Sequence, residues 1–347
     1  MSISSPSGGT FLTAAAVLPA ARDAKTPFAV PADRPKLAHT YSLVAYDPAT
    51  GDLGVAVQSK FPNVGGIIPW AQAGVGAVAT QSLSNTRYGE QGLALMTQGA
   101  TAEEALRIVT RTDPEVPLRQ LGMVDGQGRA ASFTGAETFD WAGGRVGHPD
   151  GQGSLVGGKG QVIVGRHFAA QGNLLVSDQM IKMMADDFEH SQGTLVDRLL
   201  AALKAGQAGG GDQRGMQSAA LLVVRQDGGY LGLNDRYVDI RVYDAPNPIA
   251  ELERLLYLHK LYFFPSAPQD LIPMTPAVVN QLEPILLAEP VGREQKWLAT
   301  PQGAATPTLL EALRQFMYWE NYDMRVRMDG QIDRVVLDDI VAKREPR

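Results

Sequence analysis

The run MQSAALLVVRQ (216–226) limits the possible folds more than any other stretch of this chain. Its apolar residues are consecutive, so as a strand it presents apolar side chains to both faces and needs cover on each. Other strand-like runs accompany it. HTYSLVAYDPATGDLGVAVQSK (39–60) reads as a hairpin, with Asp47, Pro48 and Gly51 supplying the turn. GGIIPWAQAGVGAVATQS (65–82) reads as a second strand pair broken at Gln72 to Gly76. RQLGMVD (119–125) and RAASFTG (129–135) form a third pair around Gly126 to Gly128, and RYVDIRVYD (236–244) is the last strand.

Helical segments fall between these runs. YGEQGLALMTQG (88–99) is one, and a capping box at Thr101 to Glu104 opens the next. Two more are expected over 177–189 and 193–206. Asn247-Pro248 starts a longer helix through Phe264, with Ile249, Leu252, Leu255, Leu256, Leu258 and Leu261 at helical spacing. Pro265 and Pro268 stop it. The order is strands, two helices, strands, two helices, strands, helix. It predicts an α+β fold of antiparallel sheets packed face to face with helices outside.

The rest of the chain reads differently. The glycine-rich segment 143–160 is expected as a mobile loop. Residues 1–38 lack sustained periodicity and read as a leader or flexible arm. Within them FLTAAAVLPAA (11–21) has the length of a signal-peptide core with no Lys or Arg before it. Export to a periplasmic or extracellular site and cytoplasmic residence are therefore equally open. Residues 270–347 read as a small helical appendix that includes LLEALRQFMYWE (309–320) and IDRVVLDDIV (332–341).

Composition removes whole classes of chemistry. A net charge of −6 without a dense Lys/Arg run disfavours nucleic-acid binding. The chain has no cysteine, which excludes thiol catalysis, disulfides and cysteine-ligated zinc. Its five histidines form no HExxH pair, and DDFEH (186–190) reads as a solvated helix face, so no metal is expected. GGKGQVIVG (157–165) lacks the ending of a phosphate-binding loop, and no other cofactor is expected. No apolar run reaches the ~18 residues that span a bilayer. No GxSxG motif is present either.

What remains for nucleophilic catalysis is a Thr or Ser without a His partner. An N-terminal Thr or Ser needs none, because its own α-amine, with a pKa of about 8, serves as the base. Thr40 is the candidate, since it begins the first strand directly after the leader. Ser42, on the same side of that strand, is the fallback. The mechanism requires that the His39–Thr40 bond be cut. Other polar residues gather at strand ends and turns: Ser59 and Lys60, then Gln81, Asn85 and Tyr88, then Asn173, and then Asp212 and Arg214. Turn capping accounts for most residues of this kind, and their common position in loops is the one hint of a shared site.

Five blocks carry a family resemblance. TYSLVAYDPATGDLGVAVQSK, VGGIIPWAQAGVGAVATQSLSNTRYGEQGL, AAQGNLL, GGDQRGMQSAALLVV and NDRYVDIRVYD, spread over residues 39–264, resemble the domain of unknown function 1028 family. That family is placed with the N-terminal nucleophile (Ntn) hydrolase-like proteins. The resemblance implies a four-layer αββα sandwich and a Thr40 hydroxyl that attacks an amide or ureido carbonyl in a small molecule or peptide. It fixes no residue for the remaining roles; the expectation is that Ser59 and Lys60, at the end of the second strand, tune the Thr40 amine, with Ser218 supporting it or binding substrate. Gln81 and Asn173 would be the oxyanion donors, and Asn85, Tyr88, Asp212 and Arg214 would bind substrate. TLLEALRQFMYWENYDMRVRMDGQIDRVVLDDI resembles a domain named for peptidoglycan binding, which makes cell wall an expected partner of 270–347. The competing expectation is a non-catalytic binding or cell-wall-associated protein. A homo-oligomer is in keeping with the closed pairs common among soluble enzymes.

Overall fold

A computed structural model describes residues 40–344 apart from 148, 151–153 and 292–294. The expected leader over 1–38, its apolar stretch 11–21, and His39 lie outside the described residues. The described residues belong to one compact unit of mixed α and β structure.

The first hairpin forms as its sequence predicts. β1 (Thr40–Tyr46) and β2 (Leu53–Ser59) pair antiparallel, with Thr40 opposite Ser59 and Tyr46 opposite Leu53. Gly51 turns the chain at φ +76°, a left-handed conformation that glycine adopts without strain. The Asp47 carboxylate accepts the Ala49 N–H across the turn. β3 (Pro69–Gln72) and β4 (Gly76–Ser82) follow, then α1 (Arg87–Thr97) and α2 (Ala102–Thr110). α2 starts at the expected capping box: Thr101 Oγ1 accepts from Glu104 N at 3.1 Å, and the Glu104 carboxylate accepts from Thr101 N at 2.8 Å.

β5 (Arg119–Asp125) and β6 (Ala130–Thr134) make the next hairpin. The segment 143–160, expected as a mobile loop, instead contains β7 (Gly143–Gly147) and β8 (Ser154–Gly158), and β9 (Gln161–Ile163) follows it; all three pair with neighbouring strands. Glycine there allows close approach of backbones. A Cβ on Gly143 would lie 2.3 Å from the Gly160 carbonyl oxygen. β10 (Phe168–Asn173) was not expected as a strand, yet it lies beside β1 at the centre of a sheet. α3 (Asp178–His190), α4 (Leu195–Ala208), β11 (Ser218–Val224), β12 (Arg236–Val242) and α5 (Pro248–Phe263) complete this part.

The strands form a seven-stranded sheet in the order β12-β11-β2-β1-β10-β7-β9 and a five-stranded sheet in the order β3-β4-β5-β6-β8. Side-chain alternation sorts their faces. On β1, Tyr41, Leu43 and Ala45 pack with Met180 of α3, Leu199 of α4 and Leu252 of α5. On the five-stranded sheet, Val78, Leu121 and Met123 pack with Leu93 of α1 and Leu106 of α2. The remaining faces share one apolar cluster, in which Val44, Val55, Val57 and Ala220 meet Ala77, Ala79 and Val124. All seven residues of β11 are buried, as its unbroken apolar run requires.

The C-terminal residues build their own core. β13 (Leu271–Pro273) precedes α6 (Pro276–Ala288), and the two-residue strands β14 (Pro290–Val291) and β15 (Gln295–Lys296) pair after it. α7 (Pro307–Trp319), β16 (Gln331–Asp333) and α8 (Arg334–Ala342) follow. β13 pairs with β16, so the appendix is not purely helical. α6 and α7 each begin with Thr-Pro, the threonine capping and the proline occupying the first turn, where its missing N–H costs nothing. Val279, Leu282, Leu309, Phe316 and Ile340 form the core together with Leu261 of α5.

Candidate functional site

The space between the two sheets changes character along β1. Toward Tyr46 it is filled by aliphatic side chains, and toward Thr40 it is polar. Register explains why. Asn173, Thr40, Ser59 and Ser218 are direct partners across β10, β1, β2 and β11, so they form a single cross-strand row. All four are buried, Thr40 at 4% exposure and the others at 0%. Thr40 Oγ1 donates to Ser59 Oγ at 3.1 Å.

Asn173 also belongs to a set of fully buried amides, with Gln81 on β4, Gln120 on β5 and Gln171 on β10. Their orientations follow from backbone carbonyls, which can only accept. Gln120 Nε2 donates to Gly172 O at 2.7 Å and lies 3.3 Å from Gly143 O, so its Oε1 faces the other way. That oxygen accepts from Gln81 Nε2 at 2.8 Å and from Asn173 Nδ2 at 2.9 Å. Gln81 Nε2 also reaches Thr40 O at 3.1 Å and Gln171 O at 3.3 Å, while its Oε1 accepts from Ser42 Oγ at 2.5 Å. Ser42 in turn accepts from Gln171 Nε2 at 2.7 Å. Thr40 is thus held through its own carbonyl by the Gln81 side chain of the opposite sheet.

This geometry reassigns several expected roles. The Gln81 and Asn173 amide nitrogens are committed to Thr40 O and Gln120, so neither N–H pair is open to a developing oxyanion. Lys60 Nζ turns away from Thr40 and donates to Met216 O at 3.1 Å. Ser218 Oγ clasps the 61–64 turn, accepting from Val64 N and donating to Phe61 O. Asp212 accepts from Lys60 N at 3.1 Å and pairs with Arg214 at 3.0 Å, so it fixes the end of β2. Burial, and then the negative charge of Asp212, push the Tyr41 phenol well above its ordinary range.

Asn85 and Tyr88 belong to a different cluster. Both donate to the Asp113 carboxylate, which also accepts from Arg119 Nε at 2.9 Å. Burial alone would raise the Asp113 carboxyl. The hydrogen bonds from Arg119, Tyr88, Glu115 N and Asn85 overcome this and hold it at about 2. Tyr88 is 1% exposed, and its side chain serves this cluster rather than an open surface.

Gln120 and Gln171 were missed as site residues. The available signal was a glutamine inside an apolar strand, RQLGMVD and AAQGN, where a long amide is rarely buried without a specific partner. A second signal is conformational. Asn63 and Leu174, which follow β2 and β10, and Ser82, the last residue of β4, have φ of 52°, 49° and 68°. Non-glycine residues in this left-handed region are uncommon and concentrate near functional sites.

The model of DUF1028, a family of unknown function, matches residues 40–156 and 150–252. A crystal structure of protein SPO2555 from Silicibacter pomeroyi, a DUF1028 protein, is similar, with 31% identity and a TM-score of 0.55. That match covers 65% of this chain and 88% of the other. No curated protein matches the chain. The blocks that surround Thr40, Gln81, Asn173 and Ser218 all lie inside the matched residues, and the chain belongs to the DUF1028 family.

Proposed function

We propose that this chain is an Ntn-type amidohydrolase with a four-layer αββα sandwich, and that Thr40 becomes its nucleophile when the preceding bond is cut. One observation carries the reading: Thr40 begins a central strand with its hydroxyl on Ser59 and its carbonyl clamped by Gln81. The layering of helices, two sheets and helices in the apolar clusters supports the fold.

The chemistry follows from an amine and a hydroxyl on one residue. The freed α-amine accepts the Oγ1 proton while Oγ1 bonds to the carbonyl carbon of an amide or ureido group. The C–N bond then breaks, and the departing nitrogen takes that proton. Water, deprotonated by the same amine, hydrolyses the resulting ester and restores Thr40. Ser59 steadies the hydroxyl, and the amide cluster fixes the strand that carries it.

Intact-mass and N-terminal analysis of the purified protein, with Thr40→Ala as control, tests this. The expected result is a chain beginning at Thr40 that hydrolyses amides, and a Thr40→Ala variant that folds but has no turnover. Unchanged turnover in that variant would remove Thr40 from the mechanism.

A second reading is a non-catalytic, cell-wall-associated protein. It is favoured by Trp319, which is 62% exposed beside Trp297 at 6.0 Å. Trp319 and its chain neighbour Tyr318, 45% exposed, offer ring faces to a partner. Sedimentation with purified peptidoglycan tests it, and Trp319→Ala should reduce retention.

A further inference from the structure

Once the buried amides are oriented by the carbonyls they face, two acceptors are left over. Gln171 Oε1 and Asn173 Oδ1 are both buried and meet no donor. An orphaned buried acceptor costs about 1–3 kcal/mol, so each calls for a reason. For Gln171 the reason is enclosure. Its Oε1 lies against Gly122, where an added Cβ would come within 2.1 Å of it, so nothing larger than hydrogen fits on that side.

Asn173 differs in position. It is the last residue of β10, the direct partner of Thr40, and its side chain lies on the same face as the Thr40 hydroxyl. Its Nδ2 is held by Gln120 Oε1 at 2.9 Å, so rotation of the amide is opposed: the flipped form would set two acceptor oxygens against each other. Ser59 flanks Thr40 on one side and Asn173 on the other. A carbonyl carbon bonded to Thr40 Oγ1 therefore lies in the same cross-strand row as Asn173 and on the face its side chain shares.

We propose that Asn173 Oδ1 accepts an N–H of the substrate, so that the site selects carboxamide or ureido groups whose nitrogen carries hydrogen. This rests on Thr40 being the nucleophile and narrows the substrate class of that same site. Asn173 is then a binding residue, and Gln120, which holds its orientation, is a positioning residue.

The test uses the full chain as purified, with its N-terminus read by mass. Hydrolysis of acetyl-p-nitroanilide is compared with that of acetyl-p-nitrophenyl ester, which has the same acyl group and no N–H. In Asn173→Leu, kcat/KM for the anilide should fall by about ten- to a hundredfold more than kcat/KM for the ester. Equal losses on both would overturn the proposal. A binding readout is independent of turnover. Acetamide should give saturation-transfer NMR signals with the wild type that Asn173→Leu loses, and N,N-dimethylacetamide should give none. Equal binding of the two amides, or no acetamide binding, would also overturn it. Thr40→Ala separates the two readings: turnover retained in that variant removes Thr40 as nucleophile, and acetamide binding retained there upholds Asn173 independently.

Discussion

Gln58 is fully buried on β2, on the face turned toward the helices, and neither its Oε1 nor its Nε2 has a partner. It sits between Tyr41 and Ala219 in the sheet register. An unmatched amide in such a place costs about 1–3 kcal/mol, and methionine has a similar shape without the polar atoms. Gln58→Met should therefore raise the unfolding free energy by about 1–2 kcal/mol in urea titrations. A fall of that size would mean that an ordered water or ligand satisfies the amide. The contrast with Gln120 shows how much of the site a sequence reveals. Thr40, Ser59, Gln81 and Asn173 are legible as polar residues at strand ends, and three of them share one cross-strand row. Gln58, Gln120 and Gln171 look alike as isolated glutamines within apolar runs. Only tertiary packing sets Gln120 among five hydrogen-bonding groups and leaves Gln58 with none.

Elements are positioned by a few connections, and the clearest is the Asp113 cluster between α2 and β5. Its carboxylate holds Tyr88 in the first turn of α1, Asn85 in the preceding turn, and Arg119 at the start of β5. Arg119 Nη1 also donates to Leu83 O, which ties down the end of β4. The Asp113 carboxyl is held at about 2 against an ordinary value of 3.8, and its side chain is 8% exposed. A carboxyl depressed by folding contributes stability that is complete above its unfolded value and disappears as pH falls through its folded one. The cluster should therefore contribute about 2 kcal/mol near neutral pH, lost between about pH 4 and pH 2. Asp113→Asn should be less stable at pH 7 and show a flatter acid limb. Urea midpoints at pH 7, 4 and 2.5 check this, and parallel profiles for both proteins would refute it. Local signals marked this part of the fold well, since hairpins, caps and amphipathic helices depend on nearby residues. β10 lacked such a signal. Phe168–Asn173 carries Ala, Gln, Gly and Asn, poor strand formers by composition, and it is a strand because β1 and β7 pair with both its edges.

At the scale of the whole chain, one guanidinium connects the C-terminal core to the rest. Arg325 is 6% exposed and donates to the carbonyls of Lys260 at 2.6 Å and Leu261 at 2.8 Å, the last turn of α5. Its remaining nitrogen meets the fully buried carboxylate of Asp333 at 2.5 Å. α5 packs its other face on the sheet strands through Ile249, Leu252 and Leu256. Arg325 thus closes a helix end and neutralises a buried charge at once. Replacing it with Met leaves Asp333 unpaired in the interior, a change that costs about 3–5 kcal/mol. Because Leu309, Phe316 and Ile340 form a core separate from the sheets, the loss should be local. Hydrogen exchange should show α7 and α8 losing protection in Arg325→Met while β1 and β2 keep theirs, and a uniform loss would show that the chain unfolds as one unit. The same contacts decide how a cell-wall role is tested. Deleting 270–347 would bare Leu261 and leave two helix-end carbonyls unmet, so lost retention in that variant would not separate binding from damage. Trp319→Ala removes an exposed ring and should leave the protection pattern intact, so its retention on peptidoglycan reports on the surface alone.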